Sequence, residues 1–231
     1  MEKQHSFSRL EALVGVDAVN YLHDRSVFVL GVGGVGGYVC EALARSGIGK
    51  IILMDSDLVD ITNLNRQIIA LNSTIGMKKV LAMKERILDI NPMCEVVCFD
   101  TFLTKDNISI LDEVSFDFLV DACDTVSTKQ SIIKYCLEKN IPFITCLGTA
   151  KKFDPSLLEI TELKKTYNDP LARILRKYVK DNELKGFIPV LFSSELPIKC
   201  QELGSTAFVP SSAGLMIGSY VIKKFLEQKK G

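Results

Sequence analysis

Short runs of branched and aliphatic residues recur along the first two thirds of the chain. Each is followed by a segment whose apolar positions return every three or four residues. Val27-Phe-Val-Leu30, Ile51-Ile-Leu-Met54 and Phe118-Leu-Val120 are continuous apolar runs, the pattern of strands covered on both faces of a parallel sheet. The alternation predicts strands over 26–31, 50–55, 94–100, 116–121 and 142–147, and helices over 9–23, 34–46, 76–90, 105–113 and 125–139. After Gly148 the rhythm changes. Strands are expected over 157–161 and 187–193, a helix over 170–180, and a short strand over 207–209 before a helix over 211–228. Strand–helix alternation of this kind implies an α/β fold, a Rossmann-like doubly wound and mostly parallel sheet. The later strands extend that sheet, some of them antiparallel. The chain reads as one domain over 1–231, with a nucleotide-binding part over 9–148 and an extension over 149–231.

Composition narrows the class. A chain of 231 residues that is 47% hydrophobic can bury an ample core. Its 28 basic and 28 acidic side chains exclude a global polybasic field for nucleic acid. The start, Met1-Glu-Lys-Gln-His-Ser, has no apolar stretch behind its charges, so no secretory signal is expected. The apolar region over 207–222 is interrupted by Pro210, serines and glycines and falls short of a membrane span. Seven cysteines form no C-x-x-C pair, which argues against structural zinc; their odd number without a secretory signal implies reduced thiols in the cytoplasm. Cys94 and Cys98 share a strand face by parity, and Cys200 stands apart in the polar last third.

The chemistry is concentrated early. Gly31-x-Gly33-Gly34-x-Gly36 follows the first strand directly and opens a helix, the context in which a glycine loop cradles phosphates. Gly31 would allow the tight turn, Gly33 the approach of phosphate to backbone, and Gly36 close helix–strand packing. Asp55 ends the second strand about 20 residues past the loop, where a carboxylate binds ribose hydroxyls. Asp57, Asn63, Asn65, Arg66 and Gln67 then crowd one segment, Lys79 follows the turn at Gly76, and Asp121 and Asp124 follow the apolar run at 118–120. Parallel strand ends that face a ligand lie on one edge of the sheet, so these residues should converge. Hydride transfer needs little of this charge. Attack on a nucleotide phosphate needs cations for the developing oxyanion and a carboxylate for magnesium.

Arg9 in Phe7-Ser-Arg9, the loop from Gly31 to Gly36, Asp55-Ser-Asp57, Asn63-Leu-Asn65-Arg66-Gln67, Gly76-Met-Lys-Lys79, Asn91-Pro92 and Asp121-Ala-Cys-Asp124 resemble the adenylating domain of ubiquitin-activating-enzyme-like proteins. Ile48-Gly49-Lys50, Asn65-Arg66-Gln67-Ile68, Ile90-Asn-Pro92, Asp124-Thr-Val-Ser-Thr-Lys129, Asp154-Pro155 and Asn168-Asp-Pro170-Leu-Ala172 are similar to the branch of tRNA threonylcarbamoyladenosine dehydratases. The resemblance covers Arg9 to about Gly148 for the superfamily motifs.

The resemblance implies roles for individual residues. Asp55 would bind ribose, Asn65, Arg66 and Lys79 the triphosphate, and Asp124 magnesium and the reacting phosphate. Arg9 would reach across a homodimer into the partner's site; without the resemblance it is only the polar start of a helix. The implied reaction is ATP-dependent, magnesium-assisted cyclisation of threonylcarbamoyladenosine in tRNA through an acyl-adenylate, with room for a sulfurtransferase partner. Two other classes stay open: adenylation of the C-terminus of a ubiquitin-like sulfur carrier, and a nicotinamide-dependent oxidoreductase or nucleotide sensor. Arg173, Arg176, Lys177 and Lys180 share one face of the 170–180 helix, either a solvated face or a contact for tRNA phosphates. Gly214-x-x-x-Gly218 marks a close helix–helix approach in the core or a dimer.

Overall fold

Val27, Phe28 and Val29 are fully enclosed in β1 (Ser26–Leu30), because helices cover both faces of the central sheet. The computed structural model describes residues 5–230. Val27 and Val29 point into a core shared with α3 (Gly36–Arg45), α4 (Lys79–Ile90) and α7 (Phe208–Lys230). Phe28 and Leu30 point the other way, towards α5 (Val126–Lys139) and α6 (Pro170–Asp181). An uninterrupted apolar strand is what such two-sided burial demands.

The remaining strands are β2 (Lys50–Met54), β3 (Glu95–Phe99), β4 (Phe118–Asp121), β5 (Phe143–Cys146), β6 (Leu158–Glu162) and β7 (Pro189–Ser193). Their order across the seven-stranded sheet is β3-β2-β1-β4-β5-β7-β6. Every neighbouring pair is parallel except β6 and β7, which run antiparallel. The doubly wound sheet and its antiparallel extension are therefore as the sequence pattern implied. The order reverses direction between β1 and β4, the switch point beside which such sheets bind ligands.

Several local expectations are corrected. The helix expected over 9–23 is two, α1 (Ser8–Val14) and α2 (Val16–His23), broken at Gly15 with φ 91°. Residues 105–113 hold only a 3-10 turn, Ile108–Asp112. The helix expected from 76 starts at Lys79, because Lys78 is extended and bridges Leu58. No strand forms over 207–209. Instead α7 begins at Phe208 and takes Pro210 into its first turn, where a missing N–H leaves no hydrogen bond broken.

The two glycines of α7 pack against α3. A Cβ on Gly214 would lie 2.4 Å from the carbonyl oxygen of Val35, and one on Gly218 2.5 Å from Cβ of Ala42. The close approach is thus a core contact within the chain. Among the described residues no helix is long and apolar enough to cross a membrane.

Candidate active site

The glycine loop is built by contacts that leave no room for side chains. Gly31 has φ 84°, and a Cβ there would stand 2.8 Å from the carbonyl oxygen of Ala122. On Gly36 it would lie 1.8 Å from the carbonyl oxygen of Gly31. Loop, β4–α5 turn and the start of α3 are thereby drawn together. Asp55 locks the loop from the side: its Oδ2 accepts the Val32 N–H at 2.7 Å and its Oδ1 the Asp57 N–H at 2.8 Å. Burial pushes the Asp55 carboxyl above its ordinary value, although those two N–H donors pull against it.

Beside this loop lies a cavity of about 640 Å³, ample for a nucleotide. It opens at the carboxyl ends of the parallel strands, next to the switch point. Gly31, Gly33, Gly34, Asp55, Asp57, Asn63, Arg66, Gln67, Lys79 and Asp124 all line it. The residues scattered over the first 124 positions thus face one space. Lys79, the first residue of α4, is 6% exposed and places Nζ 2.6 Å from Asp57 Oδ2. Arg66 is half-buried and donates from Nη1 to the Thr62 carbonyl (2.9 Å) and to Asn65 Oδ1 (3.0 Å). Asn63 closes a capping box with Asp60 at the 3-10 turn Ile61–Asn63. Gln67 is buried, and its Oε1 has no hydrogen-bond partner. A buried acceptor without a protein donor is costly unless a ligand supplies one, which suits a binding site.

Four expected residues sit elsewhere. Asp121 is fully buried and bound to Lys129, so it does not line the cavity that Asp124 reaches. Parity explains the difference: Asp121 points from β4 into the layer of α5, whereas Asp124 lies on the turn beyond the strand end. Gly36 acts through packing, under the loop. Asn65 gives its amide to the Ser205 carbonyl (3.0 Å) and steadies Arg66. Arg9 is exposed on α1 and does not line the cavity of its own chain.

The basic face of α6 is partly committed. Arg176 turns to the carbonyl (2.8 Å) and hydroxyl of Thr166, and Lys177 pairs with Asp181. Arg173 and Lys180 remain exposed, and none of the four lines the cavity.

Asp124 is exposed at the rim and forms no ion pair among the described residues. That donor suits magnesium, which takes one or two carboxylates and completes its shell with phosphate oxygens and water. No group of three or more His, Cys, Asp or Glu that could hold a metal occurs among the described residues.

Residues 7–230 match the ThiF family. The chain belongs to that family. It is 41% identical to the tRNA threonylcarbamoyladenosine dehydratase of Bacillus subtilis (strain 168), over 96% of this chain and 95% of that protein. Two crystal structures of the Escherichia coli enzyme, called TcdA, are similar throughout. Its AMP complex superposes with a TM-score of 0.93 at 36% identity, covering 98% of this chain and 96% of that one. Its ATP complex gives 0.92 at 36% identity, covering 97% and 95%.

In this ThiF-family chain the cavity also has walls that the motifs did not announce. Thr101, Phe102 and Leu103 follow β3, Gly148, Thr149 and Ala150 follow β5, and Leu203 and Ser205 lead into α7, whose first turn holds Pro210. The first two groups lie just beyond carboxyl ends of parallel strands, a placement that strand order alone could have suggested. The third had no signal, since its loop returns from β7 to Asn65 and Gly34, far away in sequence. Lys129 on the cavity floor was also missed. Burial lowers its affinity for a proton, but the adjacent Asp121, together with Cys123 and Cys146, outweighs this and keeps its pKa above the ordinary lysine value. Cys123 and Cys146 line the cavity, but burial pushes both thiols up, Cys146 to about 12. Neither is a thiolate at neutral pH.

Proposed function

We propose that this chain is an ATP-dependent tRNA threonylcarbamoyladenosine dehydratase. The observation that carries the reading is the convergence of the glycine loop, Arg66, Lys79 and Asp124 on one cavity, in a chain that shares nearly its full length with enzymes of that name. ATP binds with its phosphates along the loop and its ribose towards Asp55. The carboxylate of the threonylcarbamoyl group attacks the α-phosphorus. The bond to the β-phosphate oxygen breaks, pyrophosphate leaves, and an acyl-adenylate remains.

Arg66 and Lys79 offset charge that grows on the phosphate oxygens. Asp124 would hold a magnesium ion whose positive charge stabilises the departing pyrophosphate. The carbamoyl group of the same side chain then attacks the activated carbonyl. AMP leaves with the former carboxylate oxygen, the ring closes, and the net change in the nucleoside is loss of water. Effective molarities for such intramolecular attack can reach about 10⁵ M or more, so no protein nucleophile is required.

The chain acts as a single adenylating domain. Residues 149–231 serve the tRNA and the dimer, and the basic face of α6 is a candidate for phosphate contact through Arg173 and Lys180. The working unit is a homodimer in which Arg9 serves the partner's site. It works in the cytoplasm, and a sulfurtransferase partner is compatible with the family. Incubating the protein with threonylcarbamoyladenosine-bearing tRNA, ATP and magnesium, then analysing nucleosides by mass spectrometry, tests the proposal. A product lighter by one water, formed with AMP, is expected. ATP cleavage that requires a small carrier protein but not tRNA would overturn it, as would NAD binding without ATP binding.

A further inference from the structure

A lysine and an aspartate are sealed together directly beneath the cavity. Asp121 is 0% and Lys129 1% exposed, and Lys129 Nζ reaches both carboxylate oxygens, at 3.1 and 3.0 Å. Asp121 Oδ1 also accepts the backbone N–H of Cys123 at 3.2 Å. Asp121 is the last residue of β4 and Lys129 the fourth of α5, so their contact closes the turn that carries Asp124. Two backbone bonds finish that turn: Ala122 N–H to the Leu30 carbonyl at 2.8 Å, and Lys129 N–H to the Thr125 carbonyl at 3.1 Å. Asp124 itself is held by little else. Its one side-chain hydrogen bond among the described residues is from the Thr125 hydroxyl at 3.4 Å.

A pair this deep is a poor device for stability. Desolvating two charges costs several kcal/mol per ion, and apolar residues of similar volume often replace buried pairs with no loss. The surrounding layer is apolar, with Leu119, Ile132 and Ile133 in the same core, so a leucine and a methionine would fill the space. They could not accept the Cys123 N–H or hold β4 and α5 at a set separation. We propose that the Asp121–Lys129 pair positions Asp124 for its magnesium ion. Both act as positioning residues: Asp121 does not line the cavity, and Lys129, on its floor, spends its ammonium on Asp121. The inference rests on the reading of Asp124 given above. Outer-shell partners of metal ligands commonly alter metal affinity or activity by about 10- to 100-fold.

The test uses Lys129→Met and the double variant Asp121→Leu/Lys129→Met in the full chain. ATP binding is titrated by calorimetry over a series of magnesium concentrations, alongside thermal unfolding and the kcat and KM of tRNA cyclisation. The double variant is expected to unfold within a few degrees of the wild type. Its half-saturating magnesium concentration should rise about 10-fold and its kcat fall by a similar factor. A double variant with the magnesium dependence and kcat of the wild type would show that the pair only fills space. Should that variant fail to fold, Asp121→Asn decides the matter. It keeps an acceptor for Cys123 but weakens the hold on Lys129, so the magnesium requirement should rise by a smaller factor, and an unchanged requirement would overturn the inference. Wild-type ATP binding indifferent to magnesium would remove the reading of Asp124 itself. A metal-dependent wild type with unaltered variants would remove only the positioning role.

Discussion

Lys79 and Asp57 are joined twice. Lys79 Nζ stands 2.6 Å from Asp57 Oδ2, and the Lys79 N–H donates to the Asp57 carbonyl at 3.0 Å. The cation that faces the cavity is thereby held by a carboxylate of the same wall. The arrangement fixes the ammonium before a ligand arrives, and it also places a negative charge close to where phosphates would bind.

Removing Lys79 should therefore do double harm. Lys79→Ala loses a charge-assisted contact of about 1.5–3 kcal/mol, which predicts ATP binding weaker by about 10-fold or more. It also leaves Asp57 unneutralised. Adding Asp57→Ala should recover part of the loss, a coupling of about 0.5–3 kcal/mol between neighbours. Calorimetric titration of both variants with magnesium-ATP measures this; equal affinities would show that Asp57 does not act on the nucleotide.

Glu41 ties α3 to α4 through Arg86, with Nε to Oε2 at 2.6 Å, and also accepts from Arg45 Nε at 2.7 Å. Burial pushes the carboxyl up, but the two guanidiniums outweigh it and hold Glu41 below its usual range. A depressed folded pKa gives stability that is present above the unfolded pKa and lost as pH falls through the folded one. Glu41→Gln should thus cost about 1–2 kcal/mol at neutral pH, or about 2–8 °C in a chain of this size. The gap to wild type should close as the pH drops below the carboxylate range. Thermal unfolding from pH 7 to pH 3 follows it, and a gap independent of pH would exclude the electrostatic cause.

Cys200 is exposed, with its Sγ against the carbonyls of Glu202 (3.2 Å) and Ile198 (3.6 Å). In the proposed reaction ring closure draws its nucleophile from the substrate, so Cys200→Ser should keep cyclisation within about twofold of wild type, in line with surface substitutions elsewhere. Nucleoside mass spectrometry over time reads the rate. Complete loss in a folded variant would instead indicate a thioester route.

Arg9 and Asp124 should complement each other between chains. Arg9→Ala and Asp124→Asn are each expected to lose about 10²-fold in cyclisation, the scale of one key electrostatic group. After subunit exchange, mixed dimers hold one site with both residues, so activity should recover to about a quarter of wild type at statistical mixing. Differently tagged subunits verify the exchange. No recovery in verified heterodimers would mean that Arg9 serves only its own chain.

Much of this could be read along the chain because it depends on local sequence. The strands of the sheet core announce themselves, since burial on both faces requires unbroken apolar runs such as Val27 to Leu30. The glycine loop is equally plain, because Gly31 takes φ 84° and a Cβ on Gly36 would meet the Gly31 carbonyl oxygen within the same turn. Other features required the folded molecule. Asp121 and Asp124 are three residues apart and look alike in sequence, but the end of β4 sends one into the core and leaves the other at the cavity rim. The partner that makes Asp121 tolerable, Lys129, reads as an ordinary helix lysine until α5 docks on the sheet. Ser205 meets Asn65 across 140 positions. No local period records such a contact, because it exists only once the chain from β7 has returned over the carboxyl ends of the strands.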